Sequence, residues 1–425
     1  MHNTAEDSPA LPEAAPATSR GSGPLAGITV LDLTRVMSGP YCTMMLADMG
    51  ARVVKIEHPT RGDDTRHWGP PFQGGESSYF MSVNRNKESV ALDFGAPRGR
   101  ALLDRLIARS DVLVENFRPR KLAKLGFDYP TLSAAYPALI YCSLSGFGQT
   151  GRRSAEPGYD SVAQAEGGLM SVSGTSDGPP IRPGIPVADL SAGMFAAYGI
   201  ALALFHRQRT GRGQQVDVAL LDSVVALLTY QAATMFATGE APGRLGNRHA
   251  IVSPYDIFRA SDGDVVLGVG NDDQWRRCCV AMGLDALAHD PRFATNVDRL
   301  ARREELHATL SARFVTDTRQ RWLERLAAAG VPSGSVRDIK EAFTDPQLRD
   351  RDMVQHLDHS VAGPLVAVGT PIKLSETPGG IRTPPPVLGE HTDLVLTRDL
   401  GLGEEELADL ATHRVIHRGR TTPAD

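Results

Sequence analysis

Cysteine is scarce: four in 425 residues, Cys42, Cys142, Cys278 and Cys279, with no C-x-x-C pair and the last two adjacent. That spacing suits neither a zinc site nor a disulfide framework, so they read as reduced core thiols in a cytoplasmic compartment. Aromatic residues make up only 6%, and neither sign of charge dominates, the formal net charge being -5. Such a chain has no electrostatic footprint for nucleic acid, and any anionic ligand has to be caught by local basic groups. Long apolar runs are also missing. The stretch poorest in charge, residues 183–205, is interrupted by Asp189 and rich in Gly and Ala, which makes a poor membrane span. No G-x-x-x-x-G-K-[ST], G-x-S-x-G, H-E-x-x-H or calcium loop occurs, and no metal site is expected.

What is present begins after residues 1–23, whose Ala, Pro and Ser content without an apolar segment predicts a disordered tail. From Ile28 a strand "ITVLDLT", a Gly-Pro break, a helix "YCTMMLADMG" and a strand "RVVKIEH" form a βαβ unit. The alternation continues through a helix near 98–108, "DVLVENF", a helix from Pro119 to about Gly126, and "ALIYCSLS". Continuous apolar strands between amphipathic helices predict an α/β fold, a doubly wound, Rossmann-like parallel sheet. The helix after Asp189 is expected to bury a stripe of Leu190, Met194, Ala197, Ala201 and Leu204, and a further apolar helix spans "DSVVALLTYQAATMFATG". From about Gly239 charged helices at 273–284 and 297–329 predict a smaller α-rich domain, and β signals return near 364–373.

Two motifs need weighing. "GFGQTG" (146–151) follows a strand, but the polar "RRSAEPGYD" behind it opens no helix, which argues against a nicotinamide or flavin site. Asp189 sits alone at the entrance to an apolar helix. A helix cap would account for it, yet a carboxylate between Ala188 and Leu190 loses water and gains nucleophilicity beside a positive helix end.

The segments "LDLTRVMSGPYCTMMLADMGARVVKIE", "GDDTR", "VNRNKESVALD", "VENFRP", "GYDSVAQAEGGLMSVSG", "RPGIPVADLSAGM", "TGRGQQVDVAL" and "PPPVLGEHTD", in this order, resemble the class III CoA-transferases over about 24–416. The resemblance implies Asp189, in "ADLSAG", as a nucleophile that passes through an aspartyl anhydride and an aspartyl-CoA thioester. It implies a coenzyme A thioester as co-substrate, with no tightly bound cofactor. CoA contacts carry over to Met37, Ser38, His58, Leu92, Asn116, Phe117, Arg118, Lys124, Tyr159 and Asp160. Met37 and His58 stand where formyl-CoA transferases carry Gln and Arg, which shifts phosphate contacts toward Arg61 or Arg66. The glycine-rich loop those enzymes close over the site has no counterpart, an argument against oxalate as substrate.

"DDTRHWGPPFQGGESSYFMSVNRNK" is most similar to the succinyl-CoA-dependent dicarboxylate branch. This implies succinyl-CoA as donor and a glutarate- or hydroxymethylglutarate-like acceptor, whose distal carboxylate calls for a cation. Arg85, Arg248 or His249 are the candidates, and the last two serve equally well as supports of an interdomain loop. The alternatives are a racemase-type isomerase, disfavoured because Tyr159 replaces the histidine of that branch, and a non-catalytic CoA-binding homologue. The implied architecture has a large domain at 24–230 completed by 351–417, a small domain with linkers at 231–350, and a tail at 418–425. It assembles as an interlocked, ring-like homodimer, with acyl-CoA and small carboxylic acids as partners and no nucleic acid or membrane.

Overall fold

The computed structural model describes residues 23–419, so most of both expected tails lies outside the described residues. Arg418 lies inside them and is not tail-like, since it pairs with Asp393 and Glu404 at 2.7 Å each. The chain divides into two compact units, one comprising 23–169, 183–229 and 346–419, the other 170–182 and 230–345. Residues 170–182, expected in the large domain, group with the second unit because the Gly246 N–H donates to Gly174 O and Arg244 to Thr175 O and Gly178 O.

The first unit is built on strands β1 (Thr29–Asp32), β2 (Arg52–Glu57), β3 (Lys87–Leu92), β4 (Val112–Glu115), β5 (Ile140–Ser145) and β6 (Gln215–Ala219), joined by a terminal β12 (Ile416–His417). Their order is β12-β3-β2-β1-β4-β5-β6, parallel throughout except for β12. Alternate residues feed two cores. Leu31, Val54, Val90, Leu113 and Tyr141 face one side, against helix α2 (Pro97–Ile107) and the late helices at Thr392–Leu400 and Glu404–Thr412. Val30, Val53, Val112, Ile140 and Cys142 face the other, against α1 (Ser38–Asp48), α3 (Asp160–Glu166), α4 (Val187–Thr210) and α5 (Leu220–Leu227). Strand order reverses between β1 and β4, and the crevice beyond the carboxyl ends of those strands is where such sheets bind ligands.

Local sequence explains several departures from expectation. The helix expected from Pro119 shrinks to one turn at Ala123–Leu125, because Arg120 at φ 67° and Gly126 at φ 80° are left-handed and break propagation on both sides. The apolar helix after β6 is two helices, interrupted at Thr229 with φ 37°. Along α4 the buried residues are mostly small, Ala188, Ala192, Gly193, Ala196, Ala197 and Ala203 with Ile200; of the expected stripe Ala197 is buried, Leu190 and Leu204 are partly buried, and Met194 and Ala201 are exposed. Small side chains let the helix lie close on its neighbours: a Cβ on Gly193 would come within 2.7 Å of Ser38 O. By length and hydropathy α4 could cross a membrane, yet it forms one wall of this core.

The second unit pairs β7 (Tyr255–Ala260), β8 (Gly263–Gly268) and β9 (Ser333–Ser335) in an antiparallel sheet. Helices at Asp272–Ala281, Arg303–Phe314 and Arg319–Ala328 close its core around Trp275, Phe314 and Trp322. In the first unit, β10 (Val354–His359) and β11 (Gly363–Val368) form a separate antiparallel pair.

Candidate active site

The loop leaving β1 is pinned at every step. Arg35 N–H donates to Asn116 Oδ1 (2.9 Å) and Asn116 Nδ2 donates back to Arg35 O (2.6 Å). Val36 adopts φ 71°, a costly state for a β-branched residue, and its N–H meets both carboxylate oxygens of Asp63 at 3.2 and 3.3 Å. Gly39 then passes so close to Thr34 that a Cβ would lie 2.3 Å from the Thr34 Cβ. The result delivers Met37 and Ser38 to the start of α1.

Beneath this loop lies a buried charge network. Lys87 reaches Asp32 (3.1 Å), Asn84 (2.9 Å) and Pro40 O (2.9 Å), and Lys55 reaches Asp63 (3.0 Å) and Thr34 O (2.8 Å). Burial raises and Lys55 lowers the Asp63 carboxyl, which ends at about 2; Lys87, desolvated in spite of Asp32, falls to about 8.

Asp189 presents the opposite case. It is the third residue of α4, within the first turn of the helix; the residue preceding the helix is Pro186, which supplies no side-chain cap. The capping work falls to Asp160 at the start of α3, whose Oδ1 accepts from Ala188 N–H (2.9 Å) and Asp189 N–H (3.4 Å) while Oδ2 accepts from Gln164 (2.7 Å). A half-buried Asp189 is pushed up to about 7, by desolvation first and the Asp160 charge second, against a hydrogen bond from Ser38. The Tyr79 hydroxyl feels the same field: burial, then Asp189 and Asp160, push it up to about 12.

Two cavities flank Phe117 at the strand-order reversal. One of about 180 Å³ holds Asp189 together with Met37, Ser38, Asn116, Arg118 and Tyr159. The other, about 190 Å³, runs along the ends of β1, β2 and β3 past His58, Arg61, Leu92 and Lys121. A desolvated carboxylate next to a nucleotide-type crevice can attack an acyl group carried on a long nucleotide-tethered arm.

The model for CoA-transferase family III matches residues 25–392. The chain belongs to CoA-transferase family III. Mus musculus succinyl-CoA:glutarate CoA-transferase is 40% identical over 398 residues, 94% of this chain and 91% of that protein. Acetyl-CoA:oxalate CoA-transferase of Acetobacter aceti is 42% identical over 358 residues, covering 84% and 90%. The crystal structure of a CAIB/BAIF family protein from Brucella suis matches with a TM-score of 0.79 at 39% identity, over 89% of this chain and 99% of that one.

In this family III CoA-transferase the expected site residues fall into three groups. Asp189, Met37, Ser38, Asn116, Phe117, Arg118 and Tyr159 line the first cavity, and His58, Arg61, Leu92 and again Phe117 the second. Asp160 lines neither cavity; it is buried beneath the start of α4, where its side chain accepts from the Ala188 N–H. The remaining cations are engaged elsewhere or face away. Arg66 is buried in a two-pronged pair with Glu57 (2.7 and 2.8 Å) and lies 3.7 Å from the Phe80 ring centroid. Arg85 grips Asp48 through two bonds of 3.0 and 2.6 Å and donates to Val368 O, so it offers nothing to a substrate carboxylate. In the second unit Arg248 pairs with Asp256 and Glu304, and His249 stacks between Tyr230 and Tyr255. Lys124 is exposed and lines neither cavity.

The "GFGQTG" turn has a mechanical role. Gly146 and Gly158 cross so closely that a Cβ on either would lie 2.6 to 2.7 Å from the other's backbone, and Asp217 accepts from Gln149 N–H at 3.0 Å. This crossing closes the base of a loop whose end carries Tyr159 to the Asp189 cavity. Tyr79 is a residue near Asp189 that sequence reasoning left out of the site.

Proposed function

We propose that this CoA-transferase moves CoA from succinyl-CoA to a small dicarboxylate of the glutarate or hydroxymethylglutarate type, with Asp189 as the carrier. The observation that carries this reading is a carboxylate with a raised pKa, in no ion pair among the described residues, lining a cavity at the ligand-binding end of a doubly wound sheet.

An Asp189 oxygen attacks the thioester carbonyl; the C–S bond breaks, CoA leaves as thiolate, and a mixed anhydride joins Asp189 to the acyl group. The thiolate then attacks Cγ of Asp189, expelling succinate and forming an aspartyl-CoA thioester. The acceptor carboxylate attacks the same Cγ, the thiolate departs, and a second anhydride forms. Attack of the thiolate on the acceptor carbonyl releases the new CoA ester and restores the carboxylate, so no proton or electron is left over. The N-terminal turn of α4 and the Ser38 hydroxyl face the charge that builds on the Asp189 oxygens.

The diacid preference rests on the mouse relative's printed activity; the Acetobacter relative, named for oxalate, makes oxalate the acceptor to test against it. With Arg85 and Arg248 engaged by internal carboxylates, neither is proposed for the distal carboxylate. The reading includes an interlocked homodimer: α4 exposes Met194, Tyr198 (64%), Leu202 and Phe205 (59%), an apolar face that a second copy would bury. It also includes residence in the cytoplasm, where the four buried thiols stay reduced. A racemase-type isomerase finds less support, since Tyr159, 71% exposed, stands where that branch carries its histidine.

The test is a panel of free acids with succinyl-CoA, read as new CoA esters by mass spectrometry. Glutaryl-CoA or hydroxymethylglutaryl-CoA is expected as the main product. Transfer to oxalate alone, or α-proton exchange without transfer, would overturn the proposal.

A further inference from the structure

Glu115, the last residue of β4, is buried like the acids of the charge network but is not matched as they are. Asp32, Asp48, Glu57 and Asp63 each face a lysine or an arginine. Among the described residues Glu115 belongs to no ion pair. Strand register sets it beside Ser143 on β5, and Ser143 beside Asp217 on β6. Burial first and the Asp217 charge second push its carboxyl up to about 7, against hydrogen bonds from the Ser143 hydroxyl and the Phe117 N–H. Ionising Glu115 therefore costs stability, a cost that an apolar side chain would not carry.

What the acid supplies is an acceptor. Its Oε2 takes the N–H of Phe117 at 2.9 Å, two residues ahead, and so closes the turn by which the chain leaves β4. Phe117 lines both the cavity that holds Asp189 and its neighbour, whereas Glu115 lines neither. The ring is held at its edges by Phe94, T-shaped at 6.1 Å, and by Lys121 at 4.3 Å and Arg35 at 5.5 Å from its centroid. The backbone beneath it is held by Glu115. An elongated ligand lying in both cavities has to pass this ring, so a displaced Phe117 misaligns the way between them.

We infer that Glu115 is a positioning residue for CoA transfer, which fixes the Phe117 backbone and thereby the ring past which the arm of the CoA thioester runs. The ligand rests on the CoA-transferase reading; the brace itself rests on the bond between Glu115 and Phe117. Glu115 reaches no reacting atom, and its effect passes through Phe117 alone.

The test is calorimetric binding of CoA to the full-length chain, with succinyl-CoA kinetics beside it. Glu115→Leu removes the acceptor and is expected to weaken CoA binding and raise the KM for succinyl-CoA about tenfold, the loss of roughly one hydrogen bond, with kcat within about threefold of the parent. Glu115→Gln keeps an oxygen for the Phe117 N–H and should stay within about threefold in all three quantities. Hydrogen exchange at the Phe117 amide should quicken about tenfold or more in the Leu variant and hardly in the Gln variant. Should Glu115→Leu fold poorly, Glu115→Val, smaller and suited to a strand, takes its place with the same expectation. Phe117→Leu weakens CoA binding by itself, and adding Glu115→Leu to it should cost less than about twofold more, because both changes act at one point. Multiplying losses in that double variant overturn the inference, as does parent-like CoA affinity in folded Glu115→Leu or an equal loss in Glu115→Gln. If the parent transfers no CoA but these binding losses appear, the brace stands and the proposed activity falls. If transfer is normal and Glu115→Leu binds CoA as the parent does, the brace alone falls.

Discussion

Two sets of buried carboxylates lie close together in the first unit and behave in opposite ways. Asp32, Glu57 and Asp63 are fully enclosed but each faces a cation, and all three are held below the usual carboxylate range despite desolvation. Asp189 is enclosed less, faces Asp160 instead of a cation, and rises to about 7. Burial is common to both sets, so it does not set the direction of the shift; the sign of the nearest charge does, and Glu115, raised to about 7 by burial and the Asp217 charge but lining neither cavity, shows that access to a cavity is what further distinguishes Asp189. Stability follows the same division. Asp63 contributes stability present above its unfolded value near 3.8 and lost as pH falls through about 2. Ionising Asp189 instead costs stability progressively between about 3.8 and 7, because the folded chain keeps there a proton that the unfolded chain releases.

The most drastic way to break this contrast is Asp189→Ala, expected to lower CoA transfer by ~10³-fold or more while CoA still binds, checked by steady-state kinetics and calorimetry. Removing a matched cation instead should damage the fold. Lys87→Met leaves Asp32 buried without its partner and is expected to cost about 3–5 kcal/mol in urea unfolding, with part of the loss recovered by adding Asp32→Asn. Asp189→Asn sharpens the comparison in the other direction. It should raise the melting temperature at pH 8 by several degrees and hardly change it at pH 4, measured by calorimetry at both values. The smallest effect is expected for Asp160→Asn, which keeps an oxygen for the Ala188 N–H but removes the neighbouring charge. The parent rate should rise with pH to a midpoint near 7, and in this variant the midpoint should move lower, giving roughly two- to tenfold more of the parent's fractional activity at pH 6.

The parallel sheet was legible because its strands are short apolar runs at regular spacing, and a strand buried on both faces needs little tertiary information. Asp189 was legible as an isolated charge in an apolar context. What could not be read were the long-range pairings. Arg66, Arg85 and Arg248 looked like free cations, since nothing local marks Glu57, Asp48 or Glu304 as their partners. The bond between the start of α4 and Asp160, 28 residues earlier, was not legible either, since nothing local marks Asp160 as the acceptor for the Ala188 N–H. The face of α4 was read only in part: Ala197 is buried as expected, but close packing turned the most deeply buried line toward Ala188, Ala192, Ala196 and Ile200 and left Met194 outside.

Strand β12 pairs with β3 through Ile416 and Leu92, about 200 residues of chain after β6 has been made. At ~5–20 residues per second a ribosome takes roughly 10–40 s to supply it, and through that interval β3 is an open sheet edge, available to another nascent chain. Early release of the polypeptide, or a stop codon shortly before Ile416, would therefore leave aggregation-prone material rather than a slightly shortened enzyme.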